Sequence, residues 1–119
     1  MKPLSKNDLK TFMHRFDSAK GGELVSFEIL SPSSFAIAFT VQDTNRAFDW
    51  VNLVMEFSGV TEAKLLDDKA LKAVDMGEGM NISFGDKGIQ VGFGSDEYLS
   101  SPLHLTAETV KYEESDFRL

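Results

Sequence analysis

The sequence predicts an α+β domain, mainly antiparallel β, with one N-terminal helix and about seven strands in a sandwich or a curled sheet. Apolar residues recur at helical spacing only near the N-terminus. From residue 23 onward they alternate with small or polar residues, which is the period-two pattern of half-buried strands. Short turns separate consecutive strands, and short turns favour antiparallel neighbours.

The helix is predicted over residues 5–16. Ser5 followed by Asp8 resembles a capping box in which the shorter Asp replaces Glu. Gly21 and Gly22 are expected to end the segment, because glycine tolerates the conformations of a helix exit. The apolar stripe of this helix consists of Leu9, Phe12, Met13 and Phe16.

Alternating patterns place the strands, and the pair 80–84 and 89–93 is the clearest hairpin because a Gly-rich tetrad joins its halves. Small residues at positions 36, 38 and 40 form the second face of one strand. Either the N-terminal helix covers that face or it is open to a partner. The predicted strands are 23–30, 34–42, 50–57, 60–66, 80–84, 89–93 and 103–112.

Two segments fall outside this pattern. Residues 67–76 are expected to form a loop with one helical turn capped by Asp67 and Asp68, with an irregular strand as the alternative. The tail 113–119 is expected to be frayed. The sequence therefore predicts a single domain over residues 1–119, with its β-rich region at 23–112.

Composition limits the classes of function. The net charge of −7 opposes binding to nucleic acid or to anionic membranes. It would attract a basic protein partner, and the alternative is that it serves solubility alone. The sequence has no cysteine, so it forms no disulfide or thiolate site, which fits a reducing cytoplasm. No signal-peptide pattern and no membrane-length apolar run is present, so we expect a cytoplasmic protein.

Catalytic and metal motifs are not evident. Neither His14 nor His104 accompanies a nucleophile elbow, and the two Gly-x-Gly stretches lack the rest of a phosphate-binding motif. The carboxylates of Asp67 and Asp68 lack calcium-loop spacing. We therefore predict no catalytic residue, no metal and no cofactor, and keep an acid–base enzyme as a less favoured alternative.

The candidate binding site is a loop rich in charge and aromatic rings. Trp50 has the opposite parity to Val51 and Leu53, so it faces away from the core if strand 50–57 is assigned correctly. The alternative is that Trp50 packs under a neighbouring loop or helix. Exposed tryptophan is enriched in interface hot spots. The predicted site comprises Asp43, Arg46, Phe48, Asp49 and Trp50, with Asp67 and Asp68 as further candidates.

Self-association is also expected. Residues 34–41 contain no charge, and an uncovered strand there would template pairing with a second copy of the chain. We therefore predict a homodimer.

Two stretches of the sequence resemble small bacterial immunity-type domains, the antitoxin partners of polymorphic and contact-dependent toxins. They are WVNLVMEFSGVTEAKLL and the hairpin NISFGDKGIQVGFGSDE. The resemblance covers about half the chain, and it implies a non-enzymatic protein that blocks a toxin. The leading hypothesis is thus a bacterial protein-interaction domain, and the alternative is a small-ligand-binding domain with a pocket between sheets.

Overall fold

Two antiparallel sheets face each other in the computed structural model of the chain, which describes residues 1–116. The strands are β1 (Lys2–Pro3), β2 (Leu24–Ser31), β3 (Ser34–Asp43), β4 (Asp49–Ser58), β5 (Glu62–Lys64), β6 (Met80–Gly85), β7 (Gly88–Phe93), β8 (Leu103–Ala107) and β9 (Thr109–Asp116). Sheet one has the order β1-β9-β4-β3-β2, and sheet two has the order β5-β8-β7-β6. The predicted α+β fold is confirmed.

The main helix, α1 (Leu9–Arg15), begins after a 3₁₀ turn at Lys6–Asp8. The Ser5 hydroxyl accepts the Asp8 N–H at 3.3 Å and donates to the Asp8 carboxylate at 2.7 Å, so the predicted cap is present. Three residues in left-handed conformation, Asp17–Ala19, follow the helix. The helix therefore ends before the glycine pair that was expected to end it.

The hairpin of β3 and β4 forms the centre of sheet one. Its register runs without interruption from Ser34 opposite Ser58 to Asp43 opposite Asp49. The inward side chains of both strands are buried, and the ring of Phe39 meets that of Phe93 from sheet two at 5.3 Å. Side chains thus fill the space between the sheets at this point.

The last predicted strand, 103–112, is in fact two strands. β8 belongs to sheet two and β9 to sheet one, and the chain crosses between them at Glu108, whose N–H donates to the Ser58 carbonyl at 3.0 Å. Residues 113–116, expected to be frayed, extend β9 and pair with β4. Residues 117–119 of the predicted tail lie outside the described residues.

Residues 60–76 also differ in detail from the predicted secondary structure. The predicted strand 60–66 shortens to β5. In 67–76 the predicted helical turn exists as α2 (Asp68–Lys72), and the Asp67 carboxylate caps it by accepting the Ala70 N–H at 2.7 Å. The irregular-strand alternative for this segment is wrong.

The shared parity of residues within the predicted strands predicts a core of Phe27, Ile37, Phe39, Leu53, Met55, Ile82 and Val91, and most of this core is confirmed. Ile37, Phe39, Leu53, Met55 and Val91 are each 0% exposed. The two exceptions are only partly buried because they lie on terminal strands of the sheets, where one flank has no neighbouring strand; they are Phe27 on β2 and Ile82 on β6. Of the helices that the structure describes, none has the length and apolar character needed to cross a membrane.

Replacing Phe39 with alanine should lower the free energy of unfolding by about 3–5 kcal/mol, because it leaves a cavity where the two sheets meet. Urea denaturation measures this change. Phe48→Ala removes the same atoms from a side chain that is 58% exposed, so it should cost less than about 1 kcal/mol. Equal losses from the two variants would contradict the assigned packing.

Candidate functional site

Sheet one has one face against the core and one face away from it. Helix α1 lies on the core side, since the Phe12 ring contacts Tyr112 at 4.9 Å and Tyr112 pairs with the buried Met55. The helix therefore does not cover the small residues at positions 36, 38 and 40, which was one of the two alternatives for this face. We call the other side the outer face; its members include Glu28, Ala36, Ala38, Trp50, Val54 and Glu56.

Trp50 stands at one end of this outer face. It pairs with Gln42 and is 40% exposed, whereas the adjacent Val51 is 2% exposed. The alternation of β4 thus turns the indole away from the core, as its parity predicts. A recess of about 210 Å³ beside the indole is lined by Gly21, Glu23 and Thr40.

Carboxylates surround the small residues of the outer face. One cross-strand row contains Glu28, Ala36, Glu56 and Lys111 in that order. The next row places Ala38 and Val54 beside Glu113. Ala36, Ala38 and Val54 keep part of their surface open to solvent. The face therefore combines a shallow apolar centre with an excess of negative charge.

The loop joining β3 to β4 adds a second exposed aromatic ring. Ala47 and Phe48 both adopt left-handed backbone conformation, with φ of 54° and 66°. For residues other than glycine this conformation costs about 1–2 kcal/mol each. The Phe48 N–H donates to the Asp43 carbonyl at 2.9 Å, and the Phe48 side chain is 58% exposed. The loop thus holds an apolar ring in solvent at a cost in backbone energy.

Asp43 anchors this loop from within the protein. Its side chain is 0% exposed, and it accepts hydrogen bonds from Arg15 Nε at 3.0 Å and Arg15 Nη2 at 2.8 Å. The Asn45 N–H donates to the same carboxylate at 2.9 Å, and Arg46 Nε lies 3.5 Å from it. The hydrogen bond from Arg15 is the main reason why the pKa of Asp43 is lowered.

Arg15 joins this hairpin to the last strand. Its Nη2 also donates to Glu114 Oε1 at 2.9 Å, and the pKa of Arg15 is raised, mainly by its hydrogen bond to Asp43. Glu114 Oε2 is buried and has no hydrogen-bond partner among the described residues. Two carboxylates and two guanidinium groups thus form one neutral cluster, since Arg46 Nη2 lies 3.8 Å from Glu114 Oε1.

The structure separates the predicted site residues into three groups. Phe48, Asp49 and Trp50 are exposed on the hairpin, and the Arg46 side chain is 43% exposed. Asp43 was predicted to belong to the binding surface, and this is wrong because its carboxylate is buried against Arg15. Asp67 and Asp68 are exposed, but they lie at the N-terminal end of α2, which contacts β2. Since β3 lies between β2 and β4, these two carboxylates do not belong to the group on the hairpin.

Sequence reasoning missed the outer-face carboxylates and the partners of Asp43. The parity of β2 and β4 places Glu28 and Glu56 on the side of the small residues, so the pattern of alternation contained that signal. Arg15 lies 28 positions from Asp43 and 99 positions from Glu114. No local pattern indicates contacts at those separations.

A second polar network lies on sheet two. His104 Nδ1 donates to the Ser101 carbonyl at 2.9 Å, and the Tyr98 ring packs on His104 at 4.5 Å. The Tyr98 hydroxyl bonds Thr106 Oγ1 at 2.8 Å, and burial raises the pKa of Tyr98. These bonds fasten the loop 94–102 over the sheet, so His104 is buried under it. Among the described residues, no group of three or more acidic or histidine side chains is arranged to hold a metal ion.

The fold and site define an acidic two-sheet α+β domain with an exposed aromatic hairpin. Comparisons with protein-family models, with curated proteins and with solved structures find no match to this chain.

Asp43→Asn should lower the free energy of unfolding by about 2–3 kcal/mol at pH 7, because the variant loses the charge-assisted bonds to Arg15. The pKa of Asp43 is lower in the folded protein than in the unfolded chain, so this contribution is present above about pH 4 and is lost as the pH falls through the folded pKa. Urea titrations from pH 7 to 2 measure it.

Asp49→Asn is the matched control, since Asp49 is an exposed carboxylate of the same hairpin. This substitution should change the free energy of unfolding little across the same urea titrations. A difference between wild type and Asp43→Asn that stays constant down to pH 2 would contradict the assigned role of Asp43.

Proposed function

We propose that this chain is a non-enzymatic protein-interaction domain that binds a basic partner protein on its outer face, with Trp50 and Phe48 as the anchoring side chains. The observation that carries the proposal is the pair of exposed rings on one hairpin, 40% and 58% open to solvent. Large aromatic side chains are normally buried, and those left exposed are enriched in interface hot spots.

Charge complementarity supports a basic partner. Glu23 lines the recess beside Trp50, and Glu28, Glu56 and Glu113 lie on the same face, where Lys111 is the one cation in the described cross-strand rows. The whole chain carries a net charge of −7. Such a field accelerates the encounter with a positively charged surface and opposes anionic ones.

The alternative functions have less support. Phe39, Phe93, Leu53 and Leu105 fill the region between the sheets, and each is 0% exposed, which leaves little room for a ligand pocket there. The carboxylate of Asp67 already caps α2, which accounts for its position without catalysis. Neither alternative has an observation of its own that favours it.

The immunity-like role is the sharper form of this proposal. The first resembling stretch covers β4 and β5 and begins at Trp50, and the second covers the β6–β7 hairpin. An immunity protein acts by binding a toxin, and toxins that act on nucleic acids present basic surfaces to phosphate. An acidic face with two aromatic anchors suits such a surface. In this proposal the binding takes place in the cytoplasm of a bacterium.

The predicted homodimer remains part of the proposal, but its basis changes. Residues 34–41 lie in β3, which has a strand on each side, so they offer no free edge. β2 is a terminal strand of sheet one; its Val25, Ile29 and Leu30 are exposed, and Glu28 is the only charge within the strand. Pairing there would leave the outer face open, and light scattering that shows only monomer would exclude it.

Trp50→Ala should weaken partner binding by about 2 kcal/mol, or roughly 30-fold, while leaving the thermal midpoint nearly unchanged. The measurement compares proteins retained from native lysate by immobilised wild type and variant, followed by titration of the retained partner. Leu99→Ala is the matched control, since Leu99 is 81% exposed on the loop over sheet two. It should retain the same partner.

A second arm tests the charge complementarity. Glu28→Gln with Glu56→Gln should slow association with that partner, and the effect should shrink as salt rises. The proposal fails if wild type and Trp50→Ala retain the same proteins with equal affinity. It also fails if Trp50→Ala unfolds the chain, because Trp50 would then belong to the core.

A further inference from the structure

The exposed Phe48 ring depends on a backbone conformation that its own residues disfavour. Ala47 and Phe48 are consecutive left-handed residues, and neither is glycine. Such a conformation persists only where surrounding contacts enforce it. The contacts at this loop therefore decide whether Phe48 is held in this conformation or released into a mobile loop.

Those contacts converge on Asp43. Its carboxylate accepts the Asn45 N–H at 2.9 Å, which fixes the start of the loop. Its carbonyl accepts the Phe48 N–H at 2.9 Å, which fixes the end. The Gln42 side chain adds a longer bond to the Phe48 carbonyl at 3.4 Å. A displacement of Asp43 would thus loosen both ends of the loop together.

Asp43 in turn is held by Arg15. Two donors of the same guanidinium, Nε and Nη2, reach its two carboxylate oxygens at 3.0 and 2.8 Å. This bidentate geometry fixes orientation as well as charge, and lysine cannot reproduce it. Arg46 approaches the same carboxylate at a longer 3.5 Å, and it belongs to the loop itself. The restraint that acts on the Asp43 carboxylate from outside the loop therefore comes from Arg15.

Arg15 is itself rigidly placed. It is the last residue of α1, its guanidinium lies over the Phe16 ring at 4.8 Å, and Glu114 of β9 accepts from it at 2.9 Å. Phe16 is 1% exposed and packs against Phe12. The helix and the core thus provide a fixed point from which Arg15 holds the carboxylate.

We propose that Arg15 is the positioning residue of the aromatic hairpin: through Asp43 it holds the Thr44–Phe48 loop in the conformation, left-handed at Ala47 and Phe48, that keeps the Phe48 ring exposed on the hairpin that also carries Trp50. This inference rests on the proposed function for its biological meaning, but the coupling between Arg15 and the loop stands on the geometry alone. It gives the N-terminal helix a role at a surface that the helix does not form.

The test compares Arg15→Lys and Arg15→Gln with wild type by two measurements. They are amide hydrogen exchange and the three-bond NMR scalar couplings that report the φ angles of Ala47 and Phe48. Both variants should exchange the Phe48 amide about tenfold faster than wild type, and the couplings should move toward averaged values. The Leu53 amide of the core strand should keep its protection in Arg15→Lys. Lys10→Gln, which removes a charge from an exposed site of α1, is the matched control and should change neither.

In Arg15→Lys, equal acceleration of exchange at Leu53 and Phe48 would mean a general loss of stability, and that result would overturn the positioning role. In Arg15→Gln such a loss is expected, because this variant leaves the buried Asp43 carboxylate without the Arg15 cation. Unchanged exchange and couplings at Phe48 in both variants would overturn it as well.

Binding of the partner captured by wild type separates the two proposals. If Trp50→Ala has no effect on binding while Arg15→Lys loosens the loop, the proposed function fails and the positioning role holds. If Trp50→Ala abolishes binding while Arg15→Lys leaves both the loop and binding intact, the positioning role fails.

Discussion

The ion pair between Arg15 and Asp43 is the constraint on which the arrangement of this protein most depends. It joins a helix to a hairpin 28 positions away, and through Glu114 it extends to the last strand, 99 positions from Arg15. A buried carboxylate that loses its partner costs about 3–5 kcal/mol. The helix, the hairpin and the last strand must therefore reach their places together for the charge of Asp43 to be satisfied.

The path of the chain explains why one sheet keeps an open face and the other does not. At Glu108 the backbone leaves sheet two and enters sheet one, which brings β9 beside β4 and completes the five-stranded sheet. The loop 94–102 covers the far side of sheet two through Tyr98 and Ser101. On sheet one, α1 packs on the core side, and the outer face keeps its carboxylates and Trp50 at the surface. The asymmetry of the two sheets thus produces the candidate binding surface.

The sequence predicts those features that depend on near neighbours. The alternation of β3 and β4, the cap formed by Ser5 and Asp8 and the outward parity of Trp50 all follow from short-range patterns. The division between β8 and β9 does not, because Ala107, Glu108 and Thr109 include no glycine or proline to mark a turn. The burial of Asp43 is equally hidden, since an aspartate at the start of a polar loop has the pattern of a solvated group until Arg15 is placed against it.

The central claim is that Trp50 lies open on an acidic surface. It is the only tryptophan of the chain, so its fluorescence reports on that surface alone. Quenching by caesium and by iodide at low and equal ionic strength compares the access of a cation and an anion, once each quenching constant is divided by that of free N-acetyltryptophanamide. We expect a readily quenched indole with a larger normalised constant for caesium than for iodide, and convergence of the two as added salt screens the carboxylates. An emission that resists both ions, or a normalised constant that is larger for iodide, would contradict it.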